Sequence, residues 1–239
     1  MGSGTTMKNR PSVSRFAKVH DWISSALFAN TIGRLPYYRN HAPDIEVLGD
    51  SQTLIRDILV RELAEKRRPG GATPTFLDVG ARRSERMSIA EGYDYHAMDI
   101  APRAANVIAG DICACPQVPD DSFDVVFSMD VFEHVREPWE AAQECIRITR
   151  PGGLLIHRTL FAYRYHPGPV DYWRFSAQGL EYLFQRTGRT TTLVKGYDIR
   201  GRRADSRGSH ISNKPPIDRL GGFRENWRVL WIGRKNAHG

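Results

Sequence analysis

The feature that most constrains this chain is a series of short apolar runs that keep ending in an acid. Phe76-Leu77 leads to Asp78, Tyr95-His96-Ala97-Met98 to Asp99, Val107-Ile108-Ala109-Gly110 to Asp111, and Phe123 through Met129 to Asp130. Each run has strand length, and helical patterns separate many of them. Strands alternating with helices argue for βαβ units and a mostly parallel sheet. In such a sheet ligands bind beyond the carboxyl ends of the strands, where strand order reverses. Acids collected at those ends therefore read together as the rim of one site. Taken singly, each could be a loop carboxylate capping the next helix.

The spacing predicts strands over 75–79, 94–99, 106–109, 123–129, 153–160, 190–196 and 227–234, and helices over 51–67, 84–91, 137–149 and 176–187. Asp50 or Ser51 can cap the first of these helices. The last two strands have only a loop between them, 198–222, and read as an antiparallel edge pair. Residues 1–12 read as a disordered tail. Residues 13–49, with Val13, Phe16, Val19, Trp22, Ile23, Leu27 and Phe28 near helical spacing, read as an N-terminal helical cap, either a lid or an outer packing helix. Residues 50–239 form the α/β domain.

Composition narrows the partners. The formal charge is +7, but only six of the 34 basic residues are Lys. An Arg bias of this kind reflects a GC-rich genome more than a binding surface, and nucleic acid is disfavoured as a partner, although Arg200, Arg202, Arg203 and Arg207 are dense. No apolar run is long enough to span a membrane and no signal-peptide pattern opens the chain, so a cytoplasmic location is expected. Cys113, Cys115 and Cys145 read as reduced small hydrophobes. Both a monomer and a homo-oligomer are allowed.

The ordered set LDVG, MDI, GDI, SFDVVFSMDVFEHV and ITRPGGLLI resembles the class I S-adenosylmethionine (SAM)-dependent methyltransferases of the type 11 style. The resemblance covers residues 70–160 by motif and 50–234 by strand order. It implies a Rossmann-like, mostly parallel seven-stranded sheet with helices on both faces. It also implies a SAM site: Asp78 and Gly80 cradling the methionine part, Asp99 on the ribose hydroxyls with Ile100 against the adenine, Asp111 and Ile112 at the adenine edge and face, and Met129 with Asp130 beneath the sulfonium. One departure matters. Where the family has G-x-G-x-G, this chain has Gly80-Ala81-Arg82-Arg83-Ser84. Arg82 or Arg83 is expected to pair with the carboxylate of SAM instead; the contrary reading is a non-catalytic protein with a decayed SAM site.

Two stretches bear on the acceptor. His134, just past the fourth strand, is the candidate base for a hydroxyl proton. Asp130, Glu133 and His134 have i, i+3, i+4 spacing, and on one helical face they could help that base or hold a divalent ion such as Mg²⁺. A similar acid-x-x-Glu-His run holds metal in the ubiquinone-pathway O-methyltransferases. The second stretch runs from His157 through His166-Pro167-Gly168-Pro169-Val170-Asp171-Tyr172-Trp173-Arg174-Phe175. Aromatic faces and polar groups together suit sugars, so His157, His166, Tyr172, Trp173 and Arg174 are expected to shape the acceptor side; an aromatic cluster with an Asp171–Arg174 salt bridge is the structural alternative. This motif region is similar to sugar O-methyltransferases such as the 1-O-methyltransferase of methylmannose polysaccharide synthesis. The expectation is thus a SAM-dependent O-methyltransferase of a sugar, oligosaccharide or small glycoside. The alternatives are an aromatic, polyketide or quinone acceptor, or RNA through the basic 200–207 stretch.

Overall fold

The computed structural model describes residues 47–66, 71–83, 87–163, 165–199 and 227–237. The expected tail, nearly all of the expected cap and the Arg-rich 200–207 stretch lie outside the described residues.

In chain order the elements are α1 (Ser51–Lys66), β1 (Thr75–Val79), β2 (Asp94–Asp99), β3 (Val107–Ala109), β4 (Phe123–Met129), α2 (Pro138–Ile148), β5 (Thr149–Ala162), α3 (Ala177–Gln185), β6 (Thr190–Ile199) and β7 (Trp227–Lys235). The helix starts follow local chemistry. The Asp50 carboxylate accepts from the Gln52 N–H (3.2 Å) and the Thr53 hydroxyl (2.6 Å), Pro138 opens α2, and Ser176 Oγ accepts from the Gly179 N–H. Among the described residues, the helix expected over 84–91 is only a 3-10 turn, Met87–Ala90.

The strands form one seven-stranded sheet in the order β3-β2-β1-β4-β5-β7-β6. β1 to β5 are parallel; β7 runs antiparallel to both β5 and β6. The last two strands pair antiparallel at one edge of the sheet, as expected, with β6 outermost and β7 between it and β5. The predicted α/β sheet is otherwise found. Alternate residues divide between its faces. Phe76, Val125, Phe127, Leu154, Ile156, Leu230 and Ile232 pack with Ile55 and Leu59 of α1. Leu77, Val126, Leu155, Val229 and Trp231 pack with Ala141 and Cys145 of α2 and Leu180 and Phe184 of α3. Helices therefore cover both faces, and strand order reverses between β1 and β4, which opens a crevice at their carboxyl ends. No helix among the described residues is long and apolar enough to cross a membrane.

Candidate active site at the strand ends

A cavity of about 620 Å³ opens in that crevice. The turn after β1 supplies Gly80 and Arg82, the end of β2 Asp99 and Ile100, the loop after β3 Gly110, Asp111 and Ile112, and the turn after β4 Asp130, Val131 and His134. Gly80 sits at φ +81°, and a Cβ there would collide with Val131 Cγ2. Only glycine keeps this wall thin enough for a ligand to approach the backbone. Asp99 is nearly buried and presents its carboxylate to the cavity; one oxygen accepts from the Ala101 N–H at 2.7 Å. Beside it Ile100 is 67% exposed, an apolar face left open at the rim. Asp111 folds its loop by accepting from the Cys113 N–H.

These residues fit an adenosyl ligand. Asp99 offers a pair of acceptor oxygens for vicinal hydroxyls. Ile100, Met98 and Ile112 line the cavity as apolar surface for a ring, and Gly80 leaves a cradle that any side chain would fill. Asp99, Asp111, Asp130 and Glu137 against Arg82 and Arg136 give the wall an acidic excess, which suits a sulfonium cation.

Several expected contributors are placed differently. Asp78 is fully buried on the α1 face below the cavity, with its carboxylate accepting from the Tyr95 hydroxyl at 2.8 Å. It does not line the cavity, because it stands in β1 two residues before the turn. Met129 is also in the core on that face. Arg82 lies 3.5 Å from the Asp99 carboxylate, so its pairing in this structure is with Asp99 rather than poised for a ligand carboxylate.

The turn after β4 is a 3-10 turn, Phe132–His134, not an α-helix, and it separates the three residues read as one face. Asp130, at φ +55°, turns its carboxylate to Arg228 (3.1 Å) and Arg158 (3.8 Å). Glu133 is fully buried: one oxygen accepts from the Thr159 hydroxyl at 2.6 Å, and Oε1 has no hydrogen-bond partner. Burial pushes its carboxyl above the ordinary value, helped by the nearby charge of Asp130 and opposed by the Thr159 hydrogen bond. His134 stays at the cavity wall, its Nδ1 bonded to the Val170 carbonyl at 2.6 Å. The place expected for Asp130 beside Glu133 and His134 is taken by His166.

The segment 165–173 closes this side. The Tyr172 and Trp173 N–H groups both donate to the Glu133 carbonyl, and Gly168, Pro169, Val170 and Tyr172 join the cavity wall. The acceptor-side set therefore divides. Tyr172 lines the cavity and His166 stands against His134, with ring centroids 4.9 Å apart. Trp173 is half-exposed beside Trp139, away from the lining. Arg174 is a clamp: it holds Asp171 through two nitrogens and keeps that carboxyl well below the usual range. His157 is a correction. It is fully buried, stacked on Phe184 at 4.3 Å and hydrogen-bonded to Ser128, and burial depresses its pKa to about 3. It is a neutral core residue and cannot touch a substrate. Val131, Arg136, Glu137 and the 168–170 turn were missed as lining; only the Gly-Pro pair hinted at a loop passing close by.

Residues 77–157 match the Methyltransferase domain family. The chain is 29% identical over 135 residues to a ubiquinone biosynthesis O-methyltransferase of Pectobacterium carotovorum, covering 56% of this chain and 51% of that protein. It is 35% identical over 96 residues to an uncharacterized methyltransferase of Mycolicibacterium vanbaalenii, covering 34% of this chain and 37% of the relative. The chain thus spans about half or less of these relatives' length. Among solved structures, the CurJ carbon methyltransferase superposes with a TM-score of 0.51 at 13% identity, over 89% of this chain and 61% of that one. Residues 77–157 carry a methyltransferase-domain sequence, and the sheet built around them has the class I methyltransferase fold.

Proposed function

We propose that this chain is a SAM-dependent O-methyltransferase acting on a hydroxyl of a small polar acceptor, a sugar or short glycoside. One observation carries the reading: a single cavity joins an adenosyl-type half, built from Gly80, Asp99 and Ile100, to a half where His134 and Tyr172 face the same space. When bound, SAM supplies a methyl group already activated on a sulfonium, so positioning does most of the catalytic work. Asp99 holds the ribose hydroxyls, which requires Arg82 to release its oxygen or share it. Asp130 is held at the cavity wall by Arg228 and Arg158. His134 receives the acceptor's proton at Nε2, because its Nδ1 is committed to Val170. Tyr172 and the 168–170 turn form the wall that the acceptor meets.

The test has two parts. Calorimetric titration with S-adenosylhomocysteine is expected to show one saturable site; folded protein that does not bind it would end the reading. Incubation with SAM and a panel of glycosides, aromatic hydroxyls and quinols, followed by the mass shift of one methyl group, identifies the acceptor. Methylation confined to aromatic or quinol acceptors would replace the sugar, a result that the ubiquinone-pathway relative makes worth testing.

A further inference from the structure

We propose that Glu133, His134 and His166 bind one divalent first-row transition-metal ion at the acceptor end of the cavity. The proposal deepens the methyl-transfer reading and rests on it for what the ion does, but binding itself can be measured without donor or acceptor. The three side chains each offer a ligand atom within 4.8 Å of the others. Glu133 Oε1 is buried, has no hydrogen-bond partner and stands 4.0 Å from His134 Nε2. A buried carboxylate oxygen left unpaired costs free energy unless something meets it there.

Both imidazoles are held by their other nitrogen. His134 Nδ1 is bonded to the Val170 carbonyl, and His166 Nδ1 lies 3.1 Å from Asp171, which Arg174 in turn fixes. Such outer contacts set ring orientation and leave Nε2 as the remaining donor, which is how ligating histidines are arranged. Thr159 does the same for the carboxylate by occupying its second oxygen. Bonds of about 2.0–2.2 Å to an ion would draw these donors together by roughly 1 Å.

The donor chemistry selects the ion. Two imidazoles and one carboxylate suit Mn²⁺, Fe²⁺, Co²⁺ or Zn²⁺, whereas Mg²⁺ favours an all-oxygen shell. The Asp130-Glu133-His134 set expected for Mg²⁺ does not fit, since Asp130 is committed to Arg228 and Arg158. Three protein ligands leave a position open to the cavity, which His134 also lines. The ion would acidify an acceptor hydroxyl bound there; its proton would pass to water, and the oxygen would take the methyl group as the bond to the SAM sulfur breaks and S-adenosylhomocysteine leaves. In the metal-loaded protein His134 Nε2 is a ligand, and the ion replaces its role as base by lowering the pKa of the hydroxyl, so that water takes the proton.

The experiment titrates the chelator-stripped full chain with Co²⁺ and follows its visible absorption. Saturation at one ion per chain is expected, with Zn²⁺ displacing Co²⁺ and Mg²⁺ failing to do so at about hundredfold excess. His166→Ala, on a partly exposed loop, and Glu133→Gln should each weaken Co²⁺ by at least ~10-fold, while Asp130→Asn, which removes no ligand, changes the affinity less than either. No saturable spectrum, displacement by Mg²⁺, or wild-type affinity in both His166→Ala and Glu133→Gln would overturn the proposal. Absent Co²⁺ binding with intact S-adenosylhomocysteine binding and turnover would remove the metal alone. Intact Co²⁺ binding without S-adenosylhomocysteine binding would remove the methyl-transfer reading and leave the metal.

Discussion

At Gly80 a single hydrogen atom in place of a side chain shapes the half of the cavity proposed for the cofactor. Gly80→Ala would force an L-residue into the left-handed region at φ +81° and drive its Cβ into the Val131 side chain. The backbone strain of about 1–2 kcal/mol falls on stability, whereas the added methyl and the displaced Val131 reshape the cavity wall, so S-adenosylhomocysteine affinity should fall at least ~10-fold by calorimetry; wild-type affinity in a folded variant would show that the turn does not touch the ligand. On the other half, His134→Ala should lower turnover by ~10²–10⁴, whether the ring takes the proton or holds an ion, and leave S-adenosylhomocysteine binding close to wild type. Equal losses in both would place His134 in the cofactor site instead. Gly80 and Asp99 were legible in the sequence because a strand followed by a tight turn has few backbone solutions. His157 was not, because strand side chains alternate: one position along, Arg158 faces α1, while His157 faces α3 and disappears beneath Phe184. His166 was legible as a functional type but not by partner, since only the folded return of 165–173 brings it to His134.

The same contrast holds for elements. β1 and β4 are buried on both faces and read as nearly continuous apolar runs, so their existence and parallel sense were legible. The interior position of β7 was not read, although its Val229–Ile232 run is buried on both faces, because its nearness in sequence to β6 suggested an edge pair. α2 shows how a helix is fastened by charge that its pattern does not announce. Glu144 accepts from the Cys115 N–H and from Arg147, whose guanidinium also donates to the Cys115 and Val118 carbonyls. This clamp joins α2 to the loop ahead of β4. The Arg147 hydrogen bonds hold the Glu144 carboxyl at about 2, below its ordinary 4.5. A lowered folded-state pKa means stability present in full above pH 4.5 and lost as pH falls from there towards 2. Glu144→Gln should therefore cost about 1–2 kcal/mol at pH 7, discounted for partial exposure. The gap between the two urea-unfolding curves should close as the pH drops through that window; a gap independent of pH would mean that shape rather than charge makes the clamp.

For the described α/β domain, one buried cation draws together elements far apart in sequence. Arg158 of β5 donates through Nε to Ser51 Oγ at the start of α1 and through Nη2 to Asp198 of β6. Ser51 donates in turn to Asp198 at 2.6 Å, and Arg158 Nη1 approaches Asp130, where Arg228 of β7 also binds. The network therefore couples the α1 face, the antiparallel end of the sheet and the turn that carries the cavity wall. Its contacts were not visible in the sequence, where Ser51 read as a possible cap and Asp130 as a site residue, because no local pattern encodes a contact spanning 107 residues. Arg158 and Asp198 are almost wholly buried, so the pair is not a surface bridge of negligible worth. Removing one partner strands the other charge in a medium that solvates it poorly, at a cost of about 3–5 kcal/mol. Arg158→Met should lower stability by that amount in urea unfolding, a large part of the 5–15 kcal/mol typical of a domain. Adding Asp198→Asn removes the stranded charge, so the double variant should be more stable than the sum of the two single losses implies. Strict additivity, or a loss below about 1 kcal/mol for Arg158→Met, would show that apolar packing alone holds these elements together.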